Sequence, residues 1–186
     1  FPVYKTDEAV KAEQDSALKS FQPYYNYDAK LEKSEIKQFY HDFSVGIEGM
    51  PSGSVHLIAE RLHQLYHTGI MSTPEYSDLA ADSSNMIRVV SGKEALSMKV
   101  NTLYSTMSAY ETILRDPALV PYRSILQRCN LTDYIAPNLS YDKKRCEAEK
   151  SDLLGSIPLA SGMVMSGQKI IDRGEIVNDY TYRVLN

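Results

Sequence analysis

The chain has 186 residues, of which 43% are hydrophobic and 24% charged, a composition typical of a soluble globular protein with one domain or a domain and a small appendage. Its formal net charge of -4 and the lack of a basic stripe argue against nucleic acid as a partner. No apolar run reaches the roughly 18 residues of a membrane-spanning helix. The sequence starts at Phe1 without an initiator Met or a signal peptide, so we expect it to be a piece of a longer protein.

Apolar residues at near-helical spacing predict three amphipathic helices in the first seventy residues. The first covers 7–21, with Asp7 as the expected cap, and the second covers 28–45. The third starts at Ser54 and stops at Gly69, a residue type that commonly ends helices.

The middle of the chain mixes strand and helix signals. Residues 86–104 are rich in β-branched side chains and are interrupted by Ser91-Gly92, the pattern of a β-hairpin. Residues 106–129 return to helical spacing and are broken by two prolines.

The last quarter combines extended segments, one helix and several turns. The segment "YIAPNLSY" is expected to be extended around Pro137, and a helix should run from Asp142 to about Ile157. A two-residue turn at Ser166-Gly167 between "GMVM" and "QKII" predicts a second hairpin. Arg173-Gly174 offers another turn, and Asn178 can cap a final helical turn.

The N-terminal segment is repeated, loosely, 135 positions later. Each copy has an extended piece marked by proline, a capped helix of about four turns and a closing proline. The matching pairs are Pro2 with Pro137, Asp7 with Asp142, Ser16 with Ser151, Leu18 with Leu153 and Pro23 with Pro158. We therefore expect "PVYK" and "PNLSY" to be neighbours in one sheet.

These elements predict an α+β fold in which a mainly helical middle lobe is carried on a small mixed β/α base. The base is expected to comprise residues 1–27 and 130–186, including the C-terminal hairpin. Residues 28–129 would form an inserted helical lobe with one β-hairpin.

Two histidine patterns are candidates for metal chemistry. His41-Asp42 resembles the metal-binding pair of HD phosphohydrolases, but adjacent side chains diverge and cannot surround a metal alone, so a solvated helix face is the favoured interpretation. His56, His63 and His67 lie along one helical stripe with Glu60, and His63 and His67 have the i, i+4 spacing of a zinc site. We favour a polar flank here too, since neither a carboxylate that would orient the histidines nor a partner for an open coordination position is identifiable.

Both ends of the chain resemble a known family. The segments "YIAPNLSYD", "AEKSDLLGSIP" and "GMVMSGQKIIDRGEIVNDYTYRVL", with the opening "FPVYKTDEAVKAEQDSALKSFQPYY", are similar to the extracellular domain of bacterial seven-transmembrane receptors that carry an intracellular HD hydrolase domain. The matching positions, called the signature residues below, are Pro137, Asn138, Asp142, Gly162, Gly167, Gly174 and Glu175.

This resemblance implies positional rather than catalytic roles for the signature residues. It also implies an extracytoplasmic domain, attached at both ends to transmembrane helices of the same chain, that regulates hydrolysis of cyclic di-AMP by an HD domain elsewhere. No enzyme activity, cofactor or metal is therefore expected of this segment.

Three functions remain open from the sequence. The first is a sensor for an unknown small ligand or envelope component, which predicts a concave pocket lined by Tyr. The second is an interaction module for the envelope or another protein, which predicts a flat apolar patch. The third is a metal-dependent enzyme using the histidine stripe, which predicts a metal with an open coordination position. Whether Cys129 and Cys146 form a disulfide is left open, although two separate thiols are favoured.

Overall fold

The computed structural model describes residues 2–82 and 84–185 and has the predicted α+β class. Its α-helices are α1 (Asp7–Lys19), α2 (Ala29–Asp42), α3 (Ser54–Thr68), α4 (Thr73–Ala80), α5 (Thr106–Leu114), α6 (Arg123–Arg128), α7 (Lys143–Gly155) and α8 (Asp179–Leu185). Its strands are β1 (Pro2–Tyr4), β2 (Tyr24–Tyr27), β3 (Ile70–Met71), β4 (Met86–Ser91), β5 (Glu94–Lys99), β6 (Tyr104–Ser105), β7 (Leu139–Tyr141) and β8 (Ala160–Met163). No helix among the described residues is long and apolar enough to cross a membrane.

The chain divides into two compact units. Unit 1 comprises Phe1–Phe21 and Lys144–Asn186, and unit 2 comprises Gln22–Lys143. The sequence predicted these boundaries after residues 27 and 129, whereas the structure has them after Phe21 and Lys143. The difference arises because β2 and β7 pair with each other within the sheet of unit 2.

Unit 2 contains a four-stranded sheet with the strand order β5-β4-β2-β7. Strand β2 pairs in parallel with β4 and antiparallel with β7. Strands β4 and β5 form the hairpin predicted from Ser91-Gly92, and the positive φ of Gly92, 61°, suits the first central position of a type II′ turn.

The core of unit 2 has two clusters. The larger one is centred on α2, α3 and α5 and includes the fully buried Phe39, Leu62 and Tyr66. The smaller one covers one face of the sheet, with Tyr25 and Ile87 at its centre. Burial of these side chains stabilises unit 2 by about 1.5–3 kcal/mol for each large apolar group.

Unit 1 joins the two ends of the chain in one small structure. Strand β1 pairs antiparallel with β8, and the buried side chains of Val3, Val164 and Val184 form its apolar cluster. The side chain of Asn178 accepts a hydrogen bond from the N–H of Thr181 at 2.9 Å, which confirms the predicted cap of α8.

Most helices begin and end where the sequence predicts. Helix α3 stops at Gly69, and the 106–129 segment divides into α5, a 3-10 turn and α6. The cap of α1 is Thr6 rather than Asp7, because the Thr6 hydroxyl accepts the N–H of Ala9 at 3.2 Å. Helix α4 was not predicted.

Two strand predictions were wrong. "PVYK" and "PNLSY" are not neighbours, because β1 pairs with β8 whereas β7 pairs with β2 in a different sheet. The Ser166-Gly167 turn forms, with the N–H of Gln168 donating to the carbonyl of Met165 at 3.1 Å, but residues 168–171 form no strand. The partner of β8 is the N-terminal strand instead of the segment that follows the turn.

Candidate functional site

Asn138 is a buried signature residue that forms hydrogen bonds with several elements of unit 2. Its side chain is 1% exposed, accepts the N–H of Ile70 at 2.8 Å and donates to the carbonyl of Tyr66 at 2.8 Å. Its backbone N–H donates to the carbonyl of Ile70 at 3.0 Å, and its carbonyl accepts the N–H of Asp28. One residue therefore joins the end of α3, strand β3 and the start of α2 to the segment before β7.

Asp142 holds the end of β7 against the start of β2. Its carboxylate accepts a hydrogen bond from the Asn26 side chain at 3.1 Å, and its N–H donates to the carbonyl of Tyr24 at 2.9 Å. Pro137 is exposed and directly precedes Asn138.

The remaining signature residues lie in unit 1 and fix turns or strand pairing. Gly162 pairs with Val3, and Gly167 and Gly174 have φ values of 79° and 96°. The carboxylate of Glu175 accepts the N–H of Asp172 at 3.0 Å and so closes the turn around Gly174. Residues 175–178, between this turn and α8, form no strand.

A hydrogen-bond network extends from the buried Asn138 to the exposed Asp42 at the end of α2. The hydroxyl of Tyr66 donates to the carbonyl of Tyr134 at 2.7 Å and accepts the N–H of Ala136 at 3.0 Å. The hydroxyl of Tyr134 donates to the carboxylate of Asp42 at 2.7 Å. No local sequence pattern pointed to this network, because two residues that share a hydrogen bond in it, Asp42 and Tyr134, are 92 residues apart.

This network changes the acidity of its members. Burial raises the pKa of Tyr66 to about 12. The pKa of Tyr134 is also raised to about 12, chiefly by burial and secondly by the hydrogen bond to Asp42. Hydrogen bonds from Gln38 and Tyr134 lower the pKa of Asp42. Asp42 is therefore a hydrogen-bond acceptor within unit 2, beside the exposed His41.

The histidine stripe of α3 is engaged with carboxylates and a tyrosine. The Nδ1 atom of His63 contacts the carboxylate of Glu32 on α2, and the rings of His63 and His67 stack with centroids 6.2 Å apart. His56 is 3.0 Å from the Tyr40 hydroxyl and 3.4 Å from the carboxylate of Glu60. Among the described residues, no group of three or more His, Cys, Asp or Glu side chains is arranged to hold a metal ion.

Two concave regions of unit 2 share Tyr40, and we call them together the Tyr40 surface. One has a volume of about 540 Å³ and lies along α2, where it is lined by Glu32, Lys33, Ile36, Lys37, Tyr40 and His63. The other has a volume of about 930 Å³ and is lined chiefly by the loop between α2 and α3, with Tyr40, Val55 and His56. The hydrogen bond between Tyr40 and His56 lies where the two regions meet. The sequence predicted a Tyr-lined pocket for a sensor but did not locate it.

A third concave region is lined in part by the same loop. Its volume is about 750 Å³, and its lining includes the charged groups of Asp42, Glu48 and Arg128 together with the thiol of Cys129. Burial raises the pKa of that thiol, and the sulfur donates a hydrogen bond to the carbonyl of Ile125. A thiol with a raised pKa is a poor nucleophile. Neither Cys129 nor Cys146 forms a disulfide.

The fold and these contacts define an α+β domain with concave, Tyr-containing surfaces and with signature residues that position backbone segments. The family model for the 7TM-HD extracellular domain, 7TMR-HDED, matches residues 3–186. The chain therefore belongs to this family of extracellular domains of seven-transmembrane receptors linked to HD phosphohydrolases. Searches among curated proteins and among solved structures gave no match.

Proposed function

We propose that the chain is the sensor domain of a bacterial membrane-anchored HD phosphohydrolase that degrades cyclic di-AMP. In this proposal the domain faces the periplasm or the cell exterior, and its two ends continue into transmembrane helices of the same protein. It binds a small ligand or an envelope component and has no role in binding nucleic acid. The family match supports the receptor context.

The observation that carries the proposal is the way unit 2 is connected. Unit 1 contains both ends of the chain, and unit 2 is inserted between Phe21 and Lys144. Both connections leave unit 2 from neighbouring strands, because β2 begins where β7 ends and the two are joined by the hydrogen bond between Asp142 and Tyr24. A change in unit 2 that moves this pair of strands would therefore act on both connections at once.

The Tyr40 surface is the proposed ligand site. It combines the aromatic ring of Tyr40 and the side chain of Ile36 with polar groups at its edge, the mixture that small-ligand sites use for affinity and orientation. The side chains of Lys33 and Lys37 border the same region and supply positive charge for an anionic group. A ligand would bias the receptor only to the extent that it binds one conformation more tightly than the other.

A thermal-shift screen of envelope fragments and nucleotides tests ligand binding. A ligand that binds the native state must raise the melting temperature of the domain. We expect the shift to be lost in Tyr40→Ala and kept in Tyr182→Ala, a matched control at an exposed tyrosine of α8. A shift that is equal in both variants would place the ligand elsewhere.

The regulatory step needs the full-length parent in membranes. Hydrolysis of cyclic di-AMP is measured with and without a ligand from the screen, in the wild type and in Tyr40→Ala. We expect the ligand to change the rate only in the wild type. An unchanged rate at saturating ligand would contradict the sensor role.

An interaction module is the alternative, and two nearly fully exposed apolar side chains are the positions at which it is tested. Val45 in the loop between α2 and α3 is 97% exposed, and Ile176 in unit 1 is 92% exposed. Such side chains are common at protein contacts when they form a patch. Under this alternative, Val45→Ser or Ile176→Ser would alter regulation in the full-length parent while Tyr40→Ala would not.

A further inference from the structure

Strand β5 forms an open edge of the four-stranded sheet. It is last in the order β5-β4-β2-β7, and its six residues pair with β4 in an uninterrupted register from Ser91 with Glu94 to Met86 with Lys99. All its residues are exposed except Met98, which is partly buried. Leu96 in the centre of the strand is 64% exposed.

The hairpin register shows which backbone groups face outward. In a hairpin with a two-residue loop, the residues that flank the turn, here Ser91 and Glu94, form a hydrogen-bonded pair. The backbone groups of Glu94 and of every second residue after it, Leu96 and Met98, therefore form hydrogen bonds with β4. The N–H and carbonyl groups of Ala95 and Ser97 then point away from the sheet, where no strand among the described residues pairs with them. The N–H of Lys99 points the same way, whereas its carbonyl accepts a hydrogen bond from the Thr102 hydroxyl at 2.7 Å.

This edge lacks the features that usually prevent strand addition. Natural edges are protected by short strands, prolines, bulges or central charges. The centre of β5 is Ala-Leu-Ser-Met, without a charge, a proline or a register shift. By contrast, the opposite edge strand β7 has only three residues and is followed at once by α7.

We propose that β5 pairs antiparallel with β5 of a second copy of the chain, which would join two four-stranded sheets into one. Opposite residues in a self-paired antiparallel strand must lie on the same face of the sheet. Because alternate residues of β5 lie on alternate faces, two opposite residues must have numbers that are both odd or both even. Only a few registers are therefore allowed. The register centred on Ser97 pairs Ser97 with itself, Ala95 with Lys99 and Leu96 with Met98.

Side-chain chemistry favours this register over the one centred on Leu96. Leu96 and Met98 lie on the sheet face of Ile87 and Val89, where Met98 packs against the smaller core cluster, so their pairing would extend that apolar face across the interface. The register centred on Leu96 would instead place Lys93 opposite Lys99, and like charges directly opposite each other are destabilising. The proposal concerns assembly and does not depend on the identity of any ligand.

Single cysteines test the register directly. The residues to compare are Ser97, which would face its own copy at about 5.5 Å between Cα atoms, and Ala95, which would face Lys99. In a background with Cys129 and Cys146 replaced by Ala, we expect Ser97→Cys to form disulfide dimers at least about tenfold faster than Ala95→Cys, a difference of about 1.4 kcal/mol. Equal rates for the two variants would overturn the proposed register.

Sedimentation velocity tests the interface without cross-linking. The wild-type chain should show a dimer whose fraction rises with concentration. Ser97→Pro should raise the dimer dissociation constant at least about tenfold. This proline removes an outward N–H and leaves the bonds to β4 intact, so its melting temperature provides the control for folding. A wild type that stays monomeric at all concentrations, or a dimer unaffected by Ser97→Pro, would overturn the proposal.

Discussion

Asn138 and Ile70 are joined by two hydrogen bonds across 68 residues of sequence. The N–H of Ile70 donates to the side-chain oxygen of Asn138 at 2.8 Å, and the N–H of Asn138 donates to the carbonyl of Ile70 at 3.0 Å. The side-chain nitrogen of Asn138 also donates to Tyr66, so this buried amide is satisfied by the backbone of two elements.

Asn138→Ala should therefore destabilise the domain by about 1–3 kcal/mol, because it leaves the N–H of Ile70 buried without its partner. It also removes one donor to the carbonyl of Tyr66, which keeps its hydrogen bond from the Tyr27 hydroxyl. Chemical denaturation monitored by circular dichroism measures the change. The same substitution at the exposed Asn101 is the control and should change stability by less than about 0.5 kcal/mol. Similar values for both variants would mean that water replaces the amide of Asn138.

Alanine substitutions at two glycines should have opposite effects. Gly174 has a φ of 96° and open space around it, so Gly174→Ala should lower the stability of unit 1 by about 1–2 kcal/mol through backbone strain alone. Gly155 ends α7 without a positive φ and also has open space, so Gly155→Ala should be neutral or stabilise by up to about 1 kcal/mol. Hydrogen exchange of the β1 and β8 backbone amides measures the stability of unit 1. Equal protection of these amides in the two variants would contradict backbone strain at Gly174.

The Arg61–Asp116 pair should contribute to stability at neutral pH and not in acid. Burial acts to raise the pKa of Asp116, but the Arg61 hydrogen bond at 2.5 Å and the N–H of Ala118 outweigh it and lower the pKa below the ordinary 3.8. The stabilisation is therefore present above pH 3.8 and is lost as the pH falls through the lower, folded-state pKa.

Melting temperatures measured from neutral pH down to about pH 2 test this linkage. Asp116→Asn should be less stable than the wild type at neutral pH, and the two curves should converge in acid. Asp152→Asn, at an exposed carboxylate of α7, should follow the wild-type curve. A constant difference between Asp116→Asn and the wild type at every pH would show that the ionised carboxylate is not the source of the stability.

Replacing His63 and His67 by Gln should change the melting temperature by only a few degrees. The contact between His63 and Glu32 involves a largely exposed ring, and exposed ion pairs contribute at most about 1 kcal/mol. Zinc should not raise the melting temperature of the wild type above that of the double variant. A zinc-dependent increase that the double variant lacks would establish a metal site on the stripe.

The sequence predicted local structure well because local structure depends on near neighbours. The spacing of apolar residues located α2 and α3, and turn residues located Gly69, Gly92 and Gly174. Helix α4 was missed because its eight residues include no buried side chain and so show no marked apolar spacing.

Strand partners and the binding surface could not be predicted in the same way. The pattern of β1 is compatible with either β7 or β8, and the choice is made by packing of Val3 with Val164 and Val184. The sequence placed Asn138 in an extended segment, since nothing near it indicates that its side chain meets Ile70. The Tyr40 surface likewise depends on the loop between α2 and α3, whose path is not encoded in a periodic pattern.

The hydrogen bond between Asp142 and Tyr24 has a consequence for the order of folding. Unit 1 is built from two segments separated by the whole of residues 22–143, and closing a flexible loop of that length costs entropy. Once unit 2 has folded, its entry and exit lie side by side, and the long loop is replaced by a short, ordered connection. Unit 2 should therefore fold first and act as the template on which the two ends of the chain find each other. Substitutions that slow the folding of unit 2 should delay the pairing of β1 with β8 to the same extent.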